Sequence, residues 1–366
     1  MIWTVYLSGE IHTDWRDQIA SGIAAAGLPV TLTAPVTHHE ASDDCGVAVL
    51  GAEPNKFWHD HKGAQMNAIR TRTLIEKADV FLQNLAPGAA DKLGLTRQAL
   101  EECNPRLISC AISGFGPGGP YGSRKAYDLL IQAESGLLSI TGTKETPSKV
   151  GISIVDICTG VTAYHLILAA LLKRSRSGKG DHIELSMLEA MAEWMGYPLH
   201  YTHEGASPPE RSGAGHATIY PYGPFETADG MVLFGLQNDR EWQAFCVEVL
   251  ELPDLAEDPR YLGNDGRSSH KAEIDPVIRE KLALLSTVEA QERLERAGIG
   301  TAEVRDMAGL WAHPQLAARR CWGSVATGVG VVPALLPPSA ESWNPRMEPV
   351  PALGEHSAAI REEFKV

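Results

Sequence analysis

Asp156 is the side chain in this sequence best placed to do covalent chemistry. It follows a β-branched run, Val150 to Val155, and precedes an apolar run, Ile157 to Leu172. That order predicts a strand handing over to a helix at Asp156. In open α/β sheets such hand-overs hold ligands, because helix N-termini offer unpaired backbone N–H groups. A carboxylate there is a ready nucleophile. Its ordinary pKa is about 3.9, and a position near a helix start favours the ionised form, so no base is needed to activate it. The competing reading is an N-cap, with the carboxylate accepting N–H bonds from the next turn. A basic turn, Lys173 to Gly180, comes next, then a strand-like Ile183 to Leu185 and a helix from about Ser186.

The whole chain bounds what this carboxylate can serve. It has 366 residues, 44% of them hydrophobic, enough for two domains with real cores. Its net charge of −14 argues against a nucleic-acid or anionic-membrane partner, though local cations and helix ends still hold an anionic ligand. Six cysteines form no CxxC pair and, without a signal-peptide pattern, read as reduced thiols of a cytoplasmic protein. His38, His39, Glu40, Asp43 and Asp44 match no standard ligand spacing, so a solvated loop is expected there and no metal. The run Ile157 to Leu172 falls short of the roughly 20 residues of a membrane span and carries Thr159, Thr162 and His165. A buried helix is expected, with His165 packed in the core.

The elements that must position Asp156 read as α/β. Trp3 to Leu7 and Val30 to Thr33 are strands around a helix from about Asp14 to Ala26, a βαβ-like start, and a further helix spans about Asn67 to Lys77. Val80 to Gln83 is a strand, Asn84 to Gly88 a turn, Ala89 to Leu93 a helix and Arg106 to Ser113 a strand. Gly114 to Gly122 is a glycine-proline loop of the kind that brings backbone close to a ligand.

Two resemblances follow from these stretches. YLSGEIHTDWRDQIA, with LGAEPNKFWHDHKGAQMNAIRTRTLIEKADV, resembles the YtoQ family, whose fold is like that of the nucleoside deoxyribosyltransferases. From about Asp79, the phrases DVFLQNLAPGAADKLGL and NPRLISCAISGFGPGGPYGSRKAYDLLIQAESGLLSITGT, and the block around Asp156 with Arg176-Ser177-Gly178-Lys179-Gly180, resemble the class III CoA-transferase (CaiB/BaiF) family. The chain reads as a fusion joined at EKADV. The resemblance implies a Rossmann-like large domain with a smaller α+β domain. The divisions are a YtoQ-like Rossmann-type half-domain over 1–80, large-domain core over 81–200, linker and loop over 201–225, small domain over 226–320 and a return segment over 321–366.

The same resemblance implies the chemistry. Asp156 matches the nucleophile that carries CoA from an acyl-CoA donor to a carboxylic acid acceptor, through an aspartyl anhydride and an enzyme–CoA thioester. Tyr127 and Asp128 match an active-site pair. Asn84, Leu85, Lys92 and Lys125 match CoA contacts, and CoA enters as a substrate rather than a resident cofactor. AEWMGYPLHY resembles members acting on small dicarboxylic acids. An interlocked homodimer is implied, with no membrane or nucleic-acid partner. Tyr222-Gly223-Pro224, with Gly213 and Gly215, is the candidate for a mobile glycine-rich loop. Racemases of the family carry His where this chain has Tyr127; Tyr, with an ordinary pKa of about 10, exchanges protons poorly near neutrality, which favours the transferase. The alternatives are an α-methylacyl-CoA racemase-like enzyme, or an inactive hybrid or nucleotide-binding module of the YtoQ type. The replaced N-terminal segment is expected to weaken the hold on the nucleotide end of CoA and to spare the pantetheine end.

Overall fold

The computed structural model describes residues 3–8, 30–33, 72, 74–208, 210–338, 345, 347–352 and 354–356. The expectations for residues 14–26 and 38–44 lie outside them. The chain divides into two compact units, one of residues 1–131, 153–193 and 313–366, the other of residues 132–152 and 194–312.

The first unit is built on a five-stranded sheet. Its strands are β1 (Trp3–Ser8), β2 (Val30–Thr33), β3 (Val80–Gln83), β4 (Ile108–Ser113) and β5 (Asp181–Ser186), in the order β2-β1-β3-β4-β5. Every pairing is parallel. The order reverses between β1 and β3, which makes their carboxyl ends the switch point where open α/β sheets take ligands. The N-terminal strands are full members of the sheet: Val5 pairs with Val80 and Ser8 with Gln83.

The join is fastened by side chains from far along the chain. Asp79 accepts the Thr4 N–H on Oδ2 at 2.9 Å, and its own N–H donates to the Thr4 carbonyl at 2.6 Å. Asp79 Oδ1 takes the buried Arg174 guanidinium at 2.9 Å, and Arg174 also donates to the Arg106 carbonyl at 2.8 Å. A buried guanidinium is tolerated only when its donors are matched this way.

Helix α1 (Arg97–Cys103) starts at Thr96, whose hydroxyl accepts the Ala99 N–H. It covers one side of the sheet, where Leu100 joins Ile75, Ala78, Phe81 and Leu107. Helix α2 (Asp128–Glu134) follows the glycine-proline loop. Helix α3 (Ile154–Ser177) covers the other side, where Ala170 packs on Val80 and Ile108 with Ile167, Leu171 and Ile183. It ends at Gly178 in the left-handed region, φ 73°, which an L side chain rarely adopts. Helix α4 (Met187–Trp194) leaves β5 directly, as expected from Ser186 onward.

Three expectations change here. Residues 150–153 form no strand, and α3 begins at Ile154, so Asp156 stands inside the first turn of a helix. Val150 donates its N–H to the Gln132 side chain instead of a strand neighbour, and β-branched composition does not resist a well-capped helix. The basic turn is shorter than the sequence suggested, because the helix runs on through Ser177. The helix is also not buried all round. Ile157, Val161, Tyr164, Leu168 and Leu172 are each about half exposed, and His165 is exposed rather than packed in the core. By length and composition α3 would suffice to cross a membrane, a test that core helices of soluble proteins also pass.

The second unit closes on itself. An antiparallel sheet of β6 (Tyr222–Glu226), β7 (Met231–Gly235) and β8 (Thr301–Glu303) packs with α5 (Asp239–Ala244), α6 (Lys271–Leu282) and α7 (Thr287–Arg296). One continuous cluster runs from Tyr220 and Phe225 through Phe234, Trp242 and Phe245 to Ile278, Leu294 and Ile299. Asn238 accepts the Glu241 N–H at 3.0 Å while Glu241 accepts the Gln237 N–H at 2.7 Å, a reciprocal arrangement that starts α5. Tyr222, Gly223 and Pro224 lie in β6 and not in a mobile loop. Pairing with β7 fixes them, and Gly223 lies so close to Gly215 that a Cβ would sit 2.9 Å from the Gly215 Cα.

Candidate active site

The two carboxylates singled out in the sequence meet in the first unit. Ser153, at the N-cap of α3, makes no capping bond with its side chain. Asp128 replaces it from α2: one carboxylate oxygen, Oδ1, accepts the Val155 N–H at 2.8 Å and the Asp156 N–H at 3.2 Å. Two of the orphan donors of the helix are thereby satisfied from another element. Asp128 fixes the backbone of Asp156 rather than its carboxyl group. Nothing local in the sequence signals this, because the partners are 27 and 28 residues apart.

The electrostatics of Asp156 differ from those expected at a helix start. The residue is exposed as a whole, yet loss of water around its carboxyl pushes its pKa up, and the Asp128 charge pushes in the same direction. The helix dipole opposes both. The proton is held more tightly than on an ordinary aspartate, and a less stabilised carboxylate is a stronger nucleophile once ionised.

The rest of the first turn supports this geometry. The Val155 carbonyl accepts the Thr159 hydroxyl at 2.7 Å and the Cys158 thiol at 3.2 Å. Burial raises the Cys158 pKa, so the thiol beside the nucleophile stays protonated and unreactive. The sequence marks Thr159 only as a polar interruption of an apolar run and Cys158 only as one of six cysteines, so neither stands out there as part of a site.

The remaining candidates occupy neighbouring strand ends. Asn84 and Leu85 follow β3 at the switch point, where the Gln83 side chain accepts the Leu85 N–H at 2.7 Å and Asn84 is exposed. Lys92 is exposed at the end of a one-turn helix, Ala89–Lys92. Lys125 and Tyr127 are exposed and lead from the loop after β4 into α2. β3 and β4 pair directly and in parallel, Gln83 with Ala111, so the segments that carry these residues leave the same carboxyl end of the sheet. Among the described residues no group of three or more His, Cys, Asp or Glu side chains is arranged to hold a metal.

The chain is similar to known proteins. The model of CoA-transferase family III matches residues 63–357, and that of the nucleoside 2-deoxyribosyltransferase YtoQ matches residues 6–88. The two overlap across the join. The succinate–glutarate CoA-transferase of Agrobacterium fabrum is 33% identical over 299 residues, covering 80% of this chain and 74% of that protein. The acetyl-CoA:oxalate CoA-transferase of Acetobacter aceti is 32% identical over 294 residues, covering 80% and 75%. A CaiB/BaiF family protein of Brucella suis superposes with a TM-score of 0.76 at 27% identity, over 99% of this chain and 98% of that one. A family model spanning most of the chain, a solved CaiB/BaiF family protein of similar fold and relatives named as CoA-transferases lead to one conclusion: the chain belongs to CoA-transferase family III, and it carries a YtoQ-like segment at its N-terminus.

Proposed function

We propose that this CoA-transferase works through covalent catalysis at Asp156. The Asp156 carboxylate attacks the thioester carbonyl of the donor, giving an acyl-aspartyl anhydride and CoA thiolate. The thiolate attacks the aspartyl carbonyl, releasing the donor acid and leaving CoA as a thioester on Asp156. The acceptor carboxylate then attacks that thioester and expels CoA thiolate, which captures the acceptor acyl group and frees Asp156. Every step exchanges one acyl bond for another, so the thioester energy is kept as long as water is excluded. The observation that carries this reading is Asp156 in the first turn of α3, its backbone bonded to Asp128 and its carboxyl pKa raised.

Within the site, Asp128 is a positioning residue, and Tyr127 borders the reacting carbonyl. Asn84, Leu85, Lys92 and Lys125 contact CoA. The transferases named for succinate, glutarate and oxalate support a small dicarboxylic acid as acceptor. The described cysteines are all free thiols, which supports a reducing, cytoplasmic setting. The apolar stripe on α3 supports a homodimer, interlocked as the sequence resemblance implies, in which a second copy covers Ile157, Val161, Tyr164, Leu168 and Leu172.

The test is to trap the intermediate. Incubation with acyl-CoA and rapid quenching should give a chain heavier by CoA at the peptide containing Asp156, and Asp156→Asn should give neither adduct nor transfer. Full transfer by Asp156→Asn would end the proposal. Light scattering of the detergent-free chain should give twice the monomer mass, and Val161→Glu with Leu168→Glu should reduce it to one. A chain that stays dispersed only in detergent would instead mark α3 as membrane-bound.

A further inference from the structure

The helix surface beside Asp156 is bare on one side. Of the four residues that follow it, Cys158 and Thr159 are buried and bonded back to the Val155 carbonyl, and Ile157 lies in the stripe proposed to meet a second copy. The fourth is Gly160, exposed and the only glycine in α3. Residues i and i+4 are neighbours on a helix surface, and each side chain leans toward the N-terminus. A side chain at 160 would therefore lie over the turn that carries Asp156.

Neither packing nor backbone shape requires glycine at this position. At Gly180 a Cβ would lie 2.0 Å from the Leu107 carbonyl oxygen, and Gly178 takes a φ of 73°. At Gly160 the backbone is helical and a Cβ would meet no described atom within 4 Å. A glycine inside a helix gives up stability relative to alanine, because its unfolded chain is freer. What Gly160 supplies is space beside a nucleophile.

The direction of the reacting thioester decides what enters that space. Its carbonyl stands between CoA and the acyl chain. The proposed CoA contact Lys125 leads into α2, and Asp128 of α2 bonds the Val155 and Asp156 N–H groups, so both belong to the α2 side of Asp156. An acyl chain bonded to the Asp156 carboxylate extends away from them, along α3 toward Gly160. A second carboxylate at the far end of that chain is thereby kept from the Asp128 charge. Building on the proposed covalent chemistry, we infer that Gly160 is a specificity-determining residue: the space it leaves takes the acyl chain while that chain is bonded to Asp156 as the anhydride, and it sets how large a chain the site accepts.

The experiment compares acetyl-CoA, succinyl-CoA and glutaryl-CoA as donors, with one fixed acceptor, for wild type, Gly160→Ala and Gly160→Leu. These donors differ only in the acyl chain. In Gly160→Ala the loss of kcat/KM should be smallest with acetyl-CoA and about tenfold with glutaryl-CoA, the scale on which one carbon discriminates in a pocket. Gly160→Leu should steepen that gradient. Free CoA, which lacks an acyl chain, should lose less affinity by calorimetry than glutaryl-CoA loses in kcat/KM. Gly160→Ala should also raise the unfolding midpoint, since alanine is the better helix former and its Cβ meets no described atom.

An equal loss with all three donors, or no loss with any, would overturn the inference. A CoA affinity that falls as far as glutaryl-CoA turnover would overturn it by giving the space to CoA. A dimer that becomes a monomer in Gly160→Ala would overturn it by giving the space to a second copy, and a lowered unfolding midpoint would do so by showing a packing glycine. Quenched incubation of the wild type keeps the two readings apart. An adduct at Asp156 together with a flat donor profile in Gly160→Ala ends this inference alone, whereas transfer with no adduct ends the covalent chemistry and the inference with it. If Gly160→Leu does not fold, Gly160→Ala carries the test.

Discussion

The two units solve the problem of burial differently. The second gathers its large side chains into one cluster, with Phe234, Trp242, Phe245, Ile274 and Ile278 all fully buried. Among its described residues the first shows a small cluster on each side of the sheet and a stripe of α3 left open. Its polar joints do work that packing does in the other unit: Arg174 and Asp79 fasten the sheet, and Asp128 starts α3. The difference teaches where the chemistry belongs. A unit that exposes a carboxylate at the start of a helix leaves part of that helix uncovered by its own described residues.

Perturbing each unit at its own kind of joint separates the two strategies. Trp242→Ala should cost the second unit about 3–5 kcal/mol, the usual penalty for emptying a large buried site. Calorimetry should show the loss, and an unchanged unfolding midpoint would mean that this core is not what holds the unit. Arg174→Ala should cost the first unit on the order of 3 kcal/mol, because it removes the cationic partner of the Asp79 carboxylate and a donor to two carbonyls. Denaturant titration should show it, and a loss below half that size would mean water replaces the guanidinium.

Asp128→Ala removes a cap and should cost about 1 kcal/mol. It should lower kcat more than it raises KM, because the backbone of the nucleophile loosens while the CoA contacts stay. Equal changes in both would argue that Asp128 touches CoA. Asp128→Asn should have the smallest effect, since its amide oxygen still accepts the Val155 and Asp156 N–H groups while the negative charge is gone.

The effect of Asp128→Asn is read as a function of pH. Transfer needs ionised Asp156, so the wild-type rate should fall as pH drops through a value above the ordinary aspartate range. Removing the Asp128 charge should move that acid limb to lower pH, though only part of the way, because loss of water remains the larger cause. An acid limb that stays fixed would show that another group titrates. The stability linkage has the opposite sense. A raised folded-state pKa contributes stability that is complete below the unfolded value and disappears as pH rises through the folded one. Asp156→Asn, which has no proton to lose, should therefore stabilise the chain at neutral pH relative to wild type while ending transfer.

The sequence by itself determined the parallel strands of the first unit, although the same reasoning also expected a strand at Val150 to Val155 that does not form. Val30–Thr33 and Val80–Gln83 were legible to the residue, and β4 and β5 within two, because each is a short apolar or β-branched run bounded by turn residues. It also singled out Asp156, the glycine-proline loop and the change of family near Asp79. The tertiary structure alone decided where α3 begins, since its cap comes from Asp128 and no local pattern could supply it. It decided that Asp156 holds its proton more tightly than usual, since that depends on water lost and a charge brought near by folding. It decided that His165 faces outward and that Arg174 is buried, because an apolar run does not say which of its faces meets the sheet. Propensity acts over a few residues, whereas caps, ion pairs and burial are set by whatever the fold brings into reach.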